Sequence, residues 1–234
     1  MSNIILIIIE VIISYIAIVI FSKKYKLDGL YIYSIIATFI ACIMNLKQIE
    51  IMGVSVPLGF GFLTSIIITG NLITQKKGTE ELKKYLFIIG LTIIISTLFL
   101  NLSGMIKSSN YNIYSNKSYD AIFINNSRPY IALFISLIIS TFLSSKLYAL
   151  IKRDQNKLVL SNIFSIIICE FFENIVFVAI AYLGVFEPVD IILCVVFRYS
   201  IKTVIGIIGT IPLYISNKVY EKLGSELWEQ GKRN

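Results

Sequence analysis

The chain has 234 residues, 56% of them hydrophobic and 15% charged, with a formal net charge of +7 and a mean hydropathy of +0.81. Soluble domains carry roughly 25% charged residues, so this composition excludes an ordinary one, and no stretch is left over to make a second, soluble domain. Histidine is absent and the three cysteines, Cys42, Cys169 and Cys194, fall in apolar runs, which removes the commonest metal ligand, the usual general base and any disulfide framework.

A helix needs about 20 apolar residues to cross a hydrocarbon core of about 30 Å, and an open sheet would leave backbone groups unpaired in lipid. Seven stretches meet that length in chain order: Asn3–Phe21, Leu30–Leu46, Val54–Thr74, Tyr85–Ile106, Pro129–Ile151, Leu160–Leu183 and Val189–Ile215. They predict an all-α, multi-pass membrane bundle. The first stretch lacks a basic leader and a small-residue cleavage site, so it reads as a retained helix. Gly53, Gly59 and Gly61 around Pro57 predict an irregular entry to the third span. Gly206 and Gly209 ahead of Pro212 read either as a kink or as close packing in the seventh. The longest connections are Lys107–Ser127 and the tail from Asn217.

Lysine and arginine set the orientation, since cytoplasmic loops carry their excess. Lys23, Lys24 and Lys26 follow the first span; Lys76, Lys77, Lys83 and Lys84 follow the third; Lys152, Arg153 and Lys157 follow the fifth. The tail adds Lys218, Lys222, Lys232 and Arg233, whereas "GVFEPVD" between the last two spans has none. The N-terminus is therefore expected outside and the C-terminus in the cytoplasm. This bias accounts for the net charge without invoking nucleic acid.

The sixth span holds Glu170 and Glu173, and the seventh holds Arg198 and Lys202 at similar depth. Residues three or four apart share a helix face, so each helix presents one charged stripe. Four unpaired charges in mid-bilayer cost about 10–14 kcal/mol on insertion scales, comparable to a whole protein's stability. They must be paired, neutralised or wetted. One reading is a structural ion-pair latch, with carboxylates sealed against the bases. The other is a polar cavity contacting a solute or coupling ion, the default reading for intramembrane charge. The two are compatible, because a latch that opens is a gate. Weaker polar stripes come from Asn71 and Gln75 in the third span and from Thr141, Ser144 and Ser145 in the fifth; such residues also mediate plain helix packing. Glu10, near the outer end of the first span, reads as snorkelling or protonated.

From about Leu30 to Tyr214 the order of elements resembles the queuosine precursor transporter family, also called the vitamin uptake transporters, and the first helix resembles the extra N-terminal span of its longer, Firmicute-type members. "ACIMNLKQIEIMG" is similar to the family's entry motif, with Lys47 and Gly53 in place, and "GNLITQKKG" to its Asp-x-x-x-Glu-x-x-Gly signature, keeping Gly78. Arg128 stands where members carry an arginine opening the fifth span. "LSNIFSIIICEFFENIVFVAIAYLGVF" resembles the block leading to a Gln-x-x-Asp pair: Asn162 and Ser165 match, and Glu170 and Glu173 occupy the pair. "YSIKTVIGIIGTIP" keeps Tyr199, Lys202 and Thr210. The departures fall on polar positions. The acidic pair of the third span is Asn71 and Gln75; family amides appear as Cys42, Met44 and Phe60. The fifth-span Gln and Asp are Thr141 and Ser144, and the last-span aspartate is Gly209.

The resemblance implies one transporter domain in a bacterial cytoplasmic membrane: an extra helix and basic loop (1–28), a six-helix core (29–216) and a cytoplasmic tail (217–234). It implies import of a small polar heterocycle, a deazaguanine-type queuosine precursor or a related nucleobase or vitamin. The candidate solute-binding residues are Glu170, Glu173, Arg198, Lys202, Asn71, Gln75, Thr141, Ser144 and Asn162. No cofactor is called for, and there is no Gly-rich phosphate loop. Ser200 and Lys202 are too close on one helix to make a nucleophile–base pair, so no enzyme is read. Two alternatives stay open: the substrate-binding membrane subunit of an ATP-driven vitamin uptake complex, with an ATPase partner, and a non-transporting structural or regulatory protein. Homo-oligomerisation is likewise open.

Overall fold

The computed structural model describes residues 3–106, 127–152 and 158–219. The expected loop Lys107–Ser127 falls almost wholly outside them, as do Arg153, Lys157 and the tail beyond Val219. Among the described residues the chain is an all-α bundle with six helices and one small hairpin: α1 (Asn3–Met44), β1 (Gln48–Ile51), β2 (Val54–Pro57), α2 (Phe60–Lys77), α3 (Thr79–Met105), α4 (Ser127–Ile151), α5 (Leu158–Tyr182) and α6 (Pro188–Ile208). Five of the helices are long and apolar enough to cross a membrane.

The expected first two spans are the two helical arms of α1, joined by a sharp bend. A straight helix of 42 residues would be about 63 Å long, yet Asn3 Nδ2 donates to Glu50 O at 2.9 Å, just past the other end. The chain leaves helical geometry at Lys26 (φ 55°), and the two arms fold back on one another. Gly29 makes the bend possible. A Cβ there would lie 2.0 Å from the Phe21 carbonyl oxygen, so no other residue fits without moving backbone.

The expected third span, Val54–Thr74, is corrected at its start. Residues 54–57 are a strand, paired antiparallel to 48–51 with Ile51 opposite Val54. The two residues between, Met52 (φ 52°) and Gly53 (φ 80°), both adopt positive φ, the geometry of a type I′ hairpin turn. Alternation in "QIEIMGVSVP" buries Ile51, Val54 and Val56 while Glu50 and Ser55 stay exposed. The irregular entry is this hairpin, which packs on α6.

Helix α2 lies at the centre. Every residue from Leu63 to Thr74 is buried, and α2 touches α1, α3, α4, α5 and α6. With three threonines, a serine and an asparagine among Thr64–Thr74, it is the one described helix that is too polar to count as a span by itself. The other helices shield it and turn their exposed isoleucines, leucines and phenylalanines outward, as a lipid-facing shell requires. The seventh span breaks at Gly209 and continues as helix through residues 210–219. The close-packing reading of its glycines holds, since a Cβ on Gly206 would sit 2.4 Å from Ile166 Cγ2, and one on Gly209 2.0 Å from Ile68 Cδ1.

Candidate functional site

The four intramembrane charges meet. Glu170 and Glu173 lie on one face of α5, Arg198 and Lys202 on the facing side of α6, and all four side chains are fully buried. Lys202 Nζ is 2.7 Å from an oxygen of each carboxylate. Arg198 Nη2 donates to Glu173 at 3.2 and 3.4 Å. Two acids face two bases, so the cluster is formally neutral. Neighbouring helices complete it: Ser136 of α4 donates to Glu173 at 3.4 Å and Thr64 of α2 to Glu170 at 3.3 Å.

Asn174 and Phe177 belong to the same stripe of α5. Asn174 Oδ1 accepts from Arg198 Nε at 2.8 Å, and the Arg198 guanidinium carbon lies 4.1 Å from the Phe177 ring centre, within cation–π range. Their spacing, one helical turn from Glu170 and Glu173, was the available signal. Arg198 Nη1 is buried with no hydrogen-bond partner among the described residues. An unmatched buried donor is unfavourable by about 1–3 kcal/mol, and a donor on a cation by more, so this atom is suited to an acceptor that the described residues do not supply.

A second polar layer continues along α2. Asn71 Nδ2 donates to Asn162 Oδ1 at 3.0 Å and Ser165 Oγ at 3.4 Å, while its Oδ1 accepts from Ser144 at 3.1 Å and Ser145 at 3.3 Å. Asn162 in turn donates to Thr210 at 3.0 Å. Three helices thus meet at Asn71, and Asn162 links them to the segment that carries Thr210. Thr141 is buried beside this layer but takes no part in it: its methyl group faces Gly70, and its hydroxyl has no partner among the described residues. Gln75 lies one turn further along, accepting from Tyr148 Oη at 2.5 Å and donating to Asn217 at 2.6 Å. At the opposite end Gln48 of the hairpin donates to Tyr182. A glutamine–tyrosine pair thus lies beyond the polar layers at either end.

Glu10 neither snorkels nor faces lipid. Its Oε1 accepts from the backbone N–H of Gly61 at 2.9 Å and of Phe62 at 3.4 Å, in the first turn of α2, whose own N-cap residue, Gly59, offers no side chain. A carboxylate at a helix N-terminus satisfies orphan donors and complements the helix dipole. The partner is 51 residues away, which no local pattern discloses. Arg128 similarly caps the far end of α5, donating to Ile180 O and Leu183 O.

The charged side chains of the cluster are buried in this structure. A groove of about 580 Å³ between the first arm of α1 and α6 is lined by apolar residues such as Ile7, Val11, Val196 and Val204, and one of about 330 Å³ lies between α3 and α4 around Ile93 and Phe134. None of the four charged residues lines either groove. What the arrangement can do chemically is exchange partners: each carboxylate can accept, and each cation donate, to a polar molecule that inserts between α5 and α6.

The comparisons agree with the sequence resemblance. Residues 57–216 match the family model described as a putative vitamin uptake transporter. A curated relative from Bacillus subtilis (strain 168), named probable queuosine precursor transporter, is 24% identical over 212 residues, covering 89% of this chain and 92% of its own. No solved structure matches. With buried opposite charges on facing spans, a central polar helix, and a family match over most of its length, the chain belongs to the putative vitamin uptake transporter family.

Proposed function

We propose that the chain imports a small polar heterocycle across a bacterial cytoplasmic membrane, most directly a deazaguanine-type queuosine precursor or a related nucleobase or vitamin. The observation that carries the reading is the neutral Glu170–Glu173–Arg198–Lys202 cluster in the bundle interior, with one guanidinium nitrogen that has no partner among the described residues. The name of the Bacillus relative supports the solute class.

A guanine-like ring presents adjacent N–H donors and a carbonyl acceptor on one edge. A carboxylate of Glu170 or Glu173 accepts from the donors; Arg198 or Lys202 donates to the carbonyl. The solute so replaces ion-pair contacts with hydrogen bonds of the same sign, and neither carboxylate nor cation is left bare in the low-dielectric interior. That matching is what allows the latch to part, since a buried charge deprived of its partner costs about 3–5 kcal/mol. The Asn71, Asn162 and Ser144 layer, with Gln75 beyond it, forms the polar wall next to the cluster. Alternating opening at the two glutamine–tyrosine ends gives access from either side of the membrane. The solute gradient or a proton carried on a glutamate supplies the driving force.

The test is a thermal-shift screen of the purified chain against deazaguanines, nucleobases and vitamins. A ligand at a hundred times its Kd adds about 2.7 kcal/mol of stability, or roughly 5–10 °C for a chain of this size. A panel that leaves the melting temperature unmoved contradicts the reading and favours a non-transporting latch. Uptake by the purified chain in liposomes excludes a required ATPase.

A further inference from the structure

The two carboxylates of the buried cluster are not equivalent. Glu173 accepts from Lys202 at 2.7 Å, from Arg198 at 3.2 and 3.4 Å and from Ser136 at 3.4 Å. Glu170 shares one cation with it. Lys202 Nζ lies 2.7 Å from Glu170 Oε2, but this contact, unlike the one to Glu173, is not aligned as a hydrogen bond. Glu170 Oε2 is therefore buried with no aligned donor among the described residues, and Oε1 accepts only a long bond, 3.3 Å, from Thr64. The titratable groups facing Glu170 are Lys202 and Arg198 from α6, Glu173 and Cys169 from α5 itself, and Tyr15 from α1, whose hydroxyl is committed to the Ile205 carbonyl. Helix α2 adds the Thr64 hydroxyl, and α4 presents the Ser136 hydroxyl to Glu173.

Glu170 is also the acid nearer the second polar layer. Along α5 it lies about 7.5 Å from Ser165, against about 12 Å for Glu173, at 1.5 Å per residue. Ser165 bonds to Asn71 and Ser144, and Gln75 continues the series towards the end of the bundle that carries Lys76 and Lys77. One acid is thus held by two cations, while the other keeps a spare lone pair and adjoins hydrogen-bonding side chains. In a low-dielectric interior the carboxylate with less compensating charge is the one that neutralises by taking a proton.

We infer that Glu170 is the proton site of a proton-coupled carrier, and that its protonation releases Lys202 to the solute. A proton from water on the entry side bonds to Glu170 Oε2, and the Glu170–Lys202 ion pair breaks. Glu173 keeps both cations, and Lys202 gains a donor for the solute carbonyl. Proton and solute leave together on the other side, and the deprotonated, empty cluster latches again. Protonation alone leaves one net positive charge and a donor facing nothing; solute alone must win Lys202 from a carboxylate. Each ligand improves the site for the other, by the same factor in both directions. The coupling rests on the import proposed above; the proton site does not.

Purified full-length chain in liposomes, with labelled 7-deazaguanine outside and an alkaline interior, measures the coupling. One proton per solute lets the parent accumulate label up to about tenfold per unit of pH gradient, and a protonophore abolishes the excess. Glu170→Gln is fixed in the neutral form and cannot latch empty, so it loses net uptake but keeps exchange of labelled for unlabelled solute, now independent of pH. Accumulation that ignores the pH gradient overturns the coupling. Exchange in Glu170→Gln that is absent, or as pH-dependent as in the parent, overturns the assignment to Glu170. A second measurement needs no solute. In nanodiscs, with Glu10→Gln removing the buried Glu10 carboxyl, falling pH brings up a carboxyl C=O infrared band shielded from deuterium exchange; adding Glu170→Gln removes it and adding Glu170→Asp shifts it. No such band, or a band that neither substitution alters, overturns the proton site. The expected band with neither uptake nor exchange of 7-deazaguanine by the parent supports the proton site and contradicts the solute.

Discussion

Glu173 is the hub of the buried cluster, and Glu173→Gln tests its energetics most sharply. Its carboxylate receives Lys202 at 2.7 Å, Arg198 at 3.2 and 3.4 Å and Ser136 at 3.4 Å. The amide keeps the shape but removes the charge and presents an NH₂ group to two cations. The cluster changes from two acids and two bases to one acid and two bases. Breaking a buried ion pair by removing one partner is destabilising by about 3–5 kcal/mol. For a chain of this length each kcal/mol lowers the melting temperature by about 2–4 °C, so the expected fall in detergent is roughly 6–20 °C. Glu173→Gln combined with Lys202→Met restores neutrality and is expected to recover at least half of that loss, as coupled neighbours do. A single variant that melts within about 2 °C of the parent, or a double variant no better than the single, would refute the claim that these charges are mutually compensated.

Three further outcomes follow from the same geometry. Glu10→Leu strips the cap from α2 and leaves the buried N–H of Gly61 unpaired, which lowers stability by about 1–3 kcal/mol; Glu10→Gln, which keeps an acceptor, loses less than half as much in the same melt. Gly29→Ala places a Cβ against the Phe21 carbonyl and is expected to reduce the yield of monodisperse protein severely, whereas Gly53→Asn in the exposed type I′ turn leaves elution on size exclusion unchanged. A fluorescent reporter fused to the C-terminus is expected in the cytoplasm, and fluorescence confined to an extracellular fusion overturns the orientation read from Lys23, Lys24, Lys26 and the other basic loops.

Length and hydropathy were enough to locate the spans because lipid imposes one requirement on every residue that faces it. The same coarse signal hid two features. Val54 and Val56 continue the apolar run into α2 and mask a hairpin that strict alternation and the Met52–Gly53 turn reveal. The basic stretch around Lys26 reads as a break between two spans, and the chain does leave helical geometry there; what it does not disclose is how sharply the two arms fold back on one another. Within the site, Glu170, Glu173, Arg198 and Lys202 were legible because charge in lipid demands a partner and helical spacing says which face bears it. Asn174 and Phe177 lie on that face and were readable by the same rule. Thr64, Ser136 and the role of Glu10 were not, since each depends on which helices are neighbours, and small polar residues in spans carry no label for the contact they make. Thr141, read as part of the polar stripe, turns its methyl group to Gly70 instead.

The central claim is that the buried charges handle solute as well as hold helices together. Purified chain in liposomes, given radiolabelled 7-deazaguanine outside, measures it directly. The account predicts saturable uptake by the parent protein and none by Glu170→Gln or Lys202→Met, with both variants inserted and monodisperse. Uptake at the parent rate in either variant, or none in the parent, would contradict it.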